Sequence, residues 1–105
     1  MYEILVGLEV IDDVRYQTYR ENMTPILHQL GGDFGHDFRV SEVLKPKESS
    51  TINRVFTICF PNEDVMNRFF SDHEYLAVKA QYFEQAVGYM TIIARYEKTI
   101  ELDAT

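Results

Sequence analysis

The stretch YEILVGLEVIDDVRYQTYRENMTPILHQLGG, Tyr2–Gly32, changes its hydrophobic period part-way, and that change decides the fold. Tyr2, Ile4, Val6, Leu8 and Val10 fall on one face, with Glu3, Leu5, Gly7 and Glu9 on the other. A period of two is a β-strand, over about residues 2–10. Leu5 and Gly7 keep the second face from being fully polar, so that face is expected to be covered as well. Tyr16, Tyr19, Met23, Ile26, Leu27 and Leu30 then recur at spacings of three and four, one face of a helix. Asp12 suits the N-cap, because its carboxylate accepts from free N–H groups of the first turn. Gly31 suits the position just past the helix, which favours a left-handed backbone. Pro25 removes one helical hydrogen bond and biases Thr24 away from helical angles, which predicts a kink or short break near 22–25.

Outward from this unit the elements follow in order. DFGHDFRVSEVLK, from Asp33, is a less regular strand. Phe34, Phe38 and Val40 suggest one of its faces, and Gly35 inside it allows a bulge or bend. KPKESSTIN, 45–53, is a polar loop. RVFTICF, Arg54–Phe60, is apolar and β-branched nearly throughout, a central strand buried on both faces that stops at Pro61 and Asn62. Val65, Met66, Phe69 and Phe70 are spaced as a short helix. In SDHE, Ser71 and Glu74 have capping-box spacing and Asp72 adds charge favourable to the helix dipole, so a helix over 72–86 is expected, carrying Tyr75, Val78, Tyr82 and Phe83. On that reading Ser71→Ala costs on the order of 1 kcal/mol. A nucleophile–base–acid reading of Ser71–Asp72–His73 is poor, because neighbours on a helix point apart. VGYMTIIARYE, Val87–Glu97, is the last strand, and KTIELDAT is a polar tail. The order β-α-β-β-α-β is the split βαβ of ferredoxin-like folds, an α+β class with a four-stranded antiparallel sheet and helices on one face. One domain is expected over 1–98, with 99–105 as its tail.

Composition sets the outer bounds. In 105 residues, 46% are hydrophobic and 26% charged, so one core forms and no second domain. The formal net charge of −7 argues against nonspecific binding to nucleic acid or anionic membranes. No apolar run approaches the roughly 18–20 residues that span a bilayer. Cys59 is alone, which fits a reducing, cytoplasmic setting. No His/Cys spacing indicates a metal, and no glycine-rich loop opens a helix to hold phosphate, so no cofactor is expected.

The pattern resembles the domain of unknown function 1330 family, within the dimeric α/β-barrel superfamily. The pieces that carry the resemblance are DDVRYQTYR at the first helix, LGGDF at the turn into the second strand, RVFTICFPN at the third and FFSDHEYLAVK at the last helix. Their order covers about residues 2–97. The resemblance implies a twofold homodimer, sheet against sheet. It also implies a functional range from cofactor-free monooxygenases to ligand-binding and structural proteins. The chain departs from the family at His73, usually proline, at Tyr82, often arginine nearby, and at Asp37 and Phe38, where glycines are common. If that arginine holds an anion in relatives, this chain lacks the group.

The candidate site is a pocket between the first helix and the sheet, opened by the kink at Pro25. Tyr16 and Tyr19 would place phenolic groups in an apolar lining, the usual make-up of a small-ligand site, with His36 at the same mouth. Tyr19→Phe is then expected to spare folding and weaken ligand binding. The plainer readings are packed tyrosines with their hydroxyls in water, and an Asp37–Arg39 surface pair beside His36. His28 reads as a helix-end histidine and Cys59 as packing. Leu5, Phe56, Ile58 and Phe60, or their alternates, are expected on the sheet face that needs a second subunit. Two function classes follow: noncatalytic binding of a small apolar or acidic metabolite, which is favoured, and a cofactor-independent monooxygenase with His36 as base and Tyr16 and Tyr19 positioning the substrate.

Overall fold

The structure, a computed structural model, describes residues 1–47, 49 and 51–99. Thr99 apart, the expected tail lies outside the described residues. The strands are β1 (Tyr2–Val10), β2 (Asp33–Arg39), β3 (Arg54–Phe60) and β4 (Val87–Glu97). All pairings are antiparallel, in the order β2-β3-β1-β4. The α+β class and the split βαβ order are as expected from the alternating periods. Among the described residues no helix is long and apolar enough to cross a membrane.

Helix α1 (Asp13–Gln29) starts where Asp12 accepts from the Arg15 N–H at 3.0 Å and ends before Gly31, whose φ is +84°. It runs on through Pro25 without the short break that was one of the two expected outcomes. The proline lies on the exposed side, so the Glu21 carbonyl it leaves free can face water. Thr24 turns its hydroxyl to the Arg20 carbonyl at 2.5 Å. Met23 and Leu27, before and after the proline, are both buried.

Helix α2 (Glu63–Ser71) is capped by Asn62. It gives way to α3 (His73–Val78), a π-helical turn (Lys79–Phe83) and α4 (Glu84–Ala86), which together fill the expected 72–86 helix. The cap differs from the expected box. Asp72 accepts from the Tyr75 N–H at 3.0 Å, while Ser71 closes α2 by donating to the Asn67 and Arg68 carbonyls. Asp72→Ala is therefore expected to cost about 1 kcal/mol, and Ser71→Ala much less than the 1 kcal/mol read from the sequence. Urea titrations of both variants check this, and equal losses would restore the box.

The core lies between the sheet and the helices. Ile4, Val6, Leu8, Phe56, Ile58 and Phe60 meet Tyr16, Tyr19, Met23, Leu27, Met66 and Phe69 there. Of the two placements left open for β3, Phe56, Ile58 and Phe60 take the helix side. The register Ile4↔Ile58 and Val6↔Phe56 puts them on the helix side. Their alternates Val55, Thr57 and Cys59 take the outer face with Glu3 and Leu5. That face also carries Phe38, 55% exposed, and Tyr96, whose hydroxyl bonds the buried Glu3. Cys59 is half-buried there instead of packed in the core. Burial raises its thiol pKa, which favours the protonated form at neutral pH.

The irregularity in β2 matters most for the site. Phe34 pairs with Ile58 but Asp37 pairs with Phe56, so β2 holds one residue more than β3 over this span. Gly35 and His36 together oppose Thr57, a β-bulge at the glycine that the sequence singled out. A Cβ on Gly35 would lie 2.4 Å from the Thr57 hydroxyl, and the same hydroxyl accepts the His36 N–H at 2.9 Å. Past the bulge the faces exchange. Asp37 turns to the helix side, while His36 lies stacked on Phe38, ring centroids 5.7 Å apart.

Candidate functional site

A cavity of about 330 Å³ lies between α1, α2, the π-helical turn and the helix side of the sheet. Ile4, Val6, Leu8 and Ile58 form its floor, and Tyr16, Tyr19 and Met23 line it from α1. Phe70, Tyr75 and Phe83 line it from the later helices. The exposed lining residues, Asn67 and Phe70 on α2 and Met90 and Arg95 on β4, mark its mouth. A π-helical turn widens a helix by one residue per turn, and here it lines the cavity with Lys79 and Phe83.

Tyr16 and Tyr19 are both in the lining, as the helical stripe predicts. Their hydroxyls are not in water. Tyr16 Oη accepts from Arg20 Nε at 2.8 Å, and the Tyr19 and Tyr75 hydroxyls share a hydrogen bond of 2.9 Å. Burial raises all three phenol pKa values, that of Tyr19 furthest, so each stays a neutral phenol. The expectation that Tyr19→Phe spares folding changes accordingly. The substitution leaves the buried Tyr75 hydroxyl without its partner and is expected to cost about 1 kcal/mol of stability. Thermal unfolding of the variant beside wild type tests it, and an unchanged midpoint would mean water replaces the bond.

His36 is not in the cavity. The bulge turns it to the outer face, and Asp37 takes the inward position. Asp37 does not pair with Arg39, which approaches Asp13 at 3.7 Å. It accepts two bonds from Arg54, Nε and Nη2, both at 2.8 Å, and one from Arg20 Nη1 at 3.3 Å. The hydrogen bonds from Arg54, with the charge of Arg20 behind them, hold the Asp37 carboxyl below its ordinary range. His28 bonds Asp33 at 3.0 Å at the exposed end of α1, outside the site.

Sequence reasoning missed Arg20. Its spacing of four from Tyr16 was the available signal. The guanidinium lies 3.9 Å from the Phe34 ring centroid and 4.6 Å from that of Phe56. Its side chain is only 11% exposed, and among the described residues its buried Nη2 has no hydrogen-bond partner. With Lys79 and Arg95 it makes three cations in the lining, against no acidic side chain among the lining residues. In a chain of net charge −7 this is a local reversal of sign.

The model of one family, described as a domain of unknown function (DUF1330), matches residues 2–96. The chain belongs to the DUF1330 family. No curated protein matches the sequence. Solved structures share the fold at low identity. A protein of unknown function from Rhodopseudomonas palustris, RPA0582, superposes with a TM-score of 0.79 at 15% identity, covering 95% of this chain and 83% of that one. A dabb family protein with a ferredoxin-like fold from Mesorhizobium loti gives 0.64 at 14%, over 93% and 96%. SnoaB, a cofactor-independent oxygenase from Streptomyces nogalater, gives 0.52 at 10%, over 95% of each chain. In this DUF1330 chain the departure at His73 falls on the first residue of α3, where proline is also well tolerated. The departure at Tyr82 falls on a side chain packed against the core.

Proposed function

We propose that the protein binds a small apolar or acidic metabolite in the cavity beneath α1, without catalysing its reaction. The observation that carries this reading is the cavity itself: apolar walls, a few fixed phenols and a clamped cation, at the small end of the ~300–1,000 Å³ typical of ligand sites. The oxygenase alternative drew its base from His36, and that side chain sits on the other face of the sheet. The lining phenols are pushed away from neutral titration, which weighs further toward binding. The lone Cys59 and the acidic balance support a cytoplasmic setting.

The partner in this reading is a second copy of the chain, docked through the outer sheet face as a twofold dimer. Exposed Phe38 and Tyr96 and half-buried Leu5 and Val55 are the apolar surface that supports it. Light scattering should give twice the 12.3 kDa chain mass at micromolar concentration, and a stable monomer refutes the dimer.

The cavity reading is tested by thermal unfolding against a panel of small neutral, acidic and basic apolar compounds. Ile92→Trp, which fills the cavity from β4, serves as the control. Binding to the folded state raises the midpoint, by an amount set by about 2.7 kcal/mol at a hundredfold excess over Kd. Neutral or acidic compounds should raise it in wild type and not in the filled variant. No shift with any of them, or shifts that persist in the variant, would overturn the proposal.

A further inference from the structure

Resting on the cavity reading, we infer that the ligand is a small aromatic carboxylic acid, its carboxylate docked on Arg20 and its ring among the aromatic side chains of the cavity.

The charge count leads there first. Arg20, Arg54 and Asp37 form one hydrogen-bonded cluster with two cations and one anion. Arg54 takes Asp37 through two short bonds, while Arg20 has only the longer contact of 3.3 Å. The uncompensated positive charge therefore sits on Arg20, the member that lines the cavity. One added monoanion neutralises the cluster.

The hydrogen-bond count agrees. Arg20 Nε is committed to Tyr16 and Nη1 to Asp37, and Nη2 is the donor without a partner among the described residues. Buried donors on charged groups are seldom left unmet, because the cost of desolvation is then unrecovered. Aromatic rings lie 3.9 and 4.6 Å from the guanidinium, and Nη2 is buried beneath the cavity wall, so a ligand reaches it only as the side chains that cover it shift. A carboxylate oxygen is the acceptor that suits both its charge and its geometry.

The lining selects the rest of the molecule. Tyr16, Phe34 and Phe56 lie around the Arg20 guanidinium, and Tyr19, Tyr75 and Phe83 line the same cavity. They meet one another in tilted and edge-on pairs, such as Tyr19 and Phe83 at 5.0 Å, which suits insertion of a further ring. Lys79 and Arg95 stand in the same lining and draw anions inward.

Calorimetric titration with phenylacetate, phenylacetamide and hexanoate tests the assignment on the wild-type chain. Phenylacetate should bind tightest. Phenylacetamide, the neutral isostere, should bind on the order of tenfold more weakly or worse, and hexanoate should also fall behind for want of a ring. Arg20→Met should weaken phenylacetate by roughly ten- to a hundredfold and bring acid and amide close together, while Arg20→Lys keeps part of the preference. Should Arg20→Met fail to fold, the acid–amide comparison on wild type decides alone. An amide or aliphatic acid that binds as well as phenylacetate refutes the ligand class and leaves the cavity reading standing. No binding by any of the three removes both.

Discussion

Phe69→Ala is expected to be among the most damaging single substitutions, lowering stability by about 3–5 kcal/mol. The ring is 0% exposed. It sits 4.4 Å from Tyr75, 5.1 Å from Phe70 and 5.7 Å from Phe60, centroid to centroid. It thus joins α2 to the start of α3 and both to the sheet. Truncation removes its transfer free energy and leaves a hole that three large rings can only partly fill. Against the ~5–15 kcal/mol stability of ordinary domains, the loss is a large share of the total. Urea denaturation followed by circular dichroism measures it. A loss under about 1 kcal/mol would mean that α2 and α3 collapse onto the gap. Tyr75 and Phe70 also line the cavity, so ligand binding should weaken in parallel.

Asp37→Ala is expected to cost about 2–3 kcal/mol. It strips the counterion from Arg20 and Arg54, whose side chains are only 11% and 16% exposed. Breaking a buried pair commonly costs ~3–5 kcal/mol, and the 32% exposure of Asp37 lowers the figure through solvent screening. The pH dependence follows from the depressed carboxyl pKa. A group whose folded value lies below its unfolded value stabilises in full above the ordinary value of 3.8, and that stabilisation is lost as pH falls through the folded value. The gap between wild type and Asp37→Asn should therefore be constant from about pH 5 to 8 and close in strong acid. A gap that persists unchanged to the lowest pH at which both fold would show that Asp37 acts through packing.

Periodicity made most of the fold legible. Tyr2–Val10, Arg54–Phe60 and Val87–Glu97 are strands at the bounds expected of them, because alternation and β-branched runs are local properties that neighbouring strands reinforce. Asp12 and Gly31 marked the ends of α1 through capping chemistry that involves only the residues beside them. Ser71 and Asp72 were harder. Both are good caps, and the choice between them depended on where α2 ended, which one sequence window does not contain. Pro25 was read as a kink or short break because the local rule sees only the lost hydrogen bond, whereas the helix continues through it with Met23 and Leu27 buried on both sides.

The site divides along the same line. Tyr16 and Tyr19 could be placed at the cavity from the sequence, since a helical stripe faces a sheet whatever the partner strands do. Which face Phe56, Ile58 and Phe60 would take was a matter of register, set by pairing with β1 across the chain. The exchange of His36 for Asp37 needed one inserted residue at Gly35, and alternation counted along β2 alone cannot say that two residues will oppose Thr57. The Arg20–Asp37–Arg54 cluster joins α1, β2 and β3, so its charge balance, and an Arg20 donor without a partner among the described residues, exist only once the three are packed together. Local chemistry thus determined the elements and their order. Long-range pairing decided which side chains met inside, because a one-residue shift in a strand reverses every face beyond it.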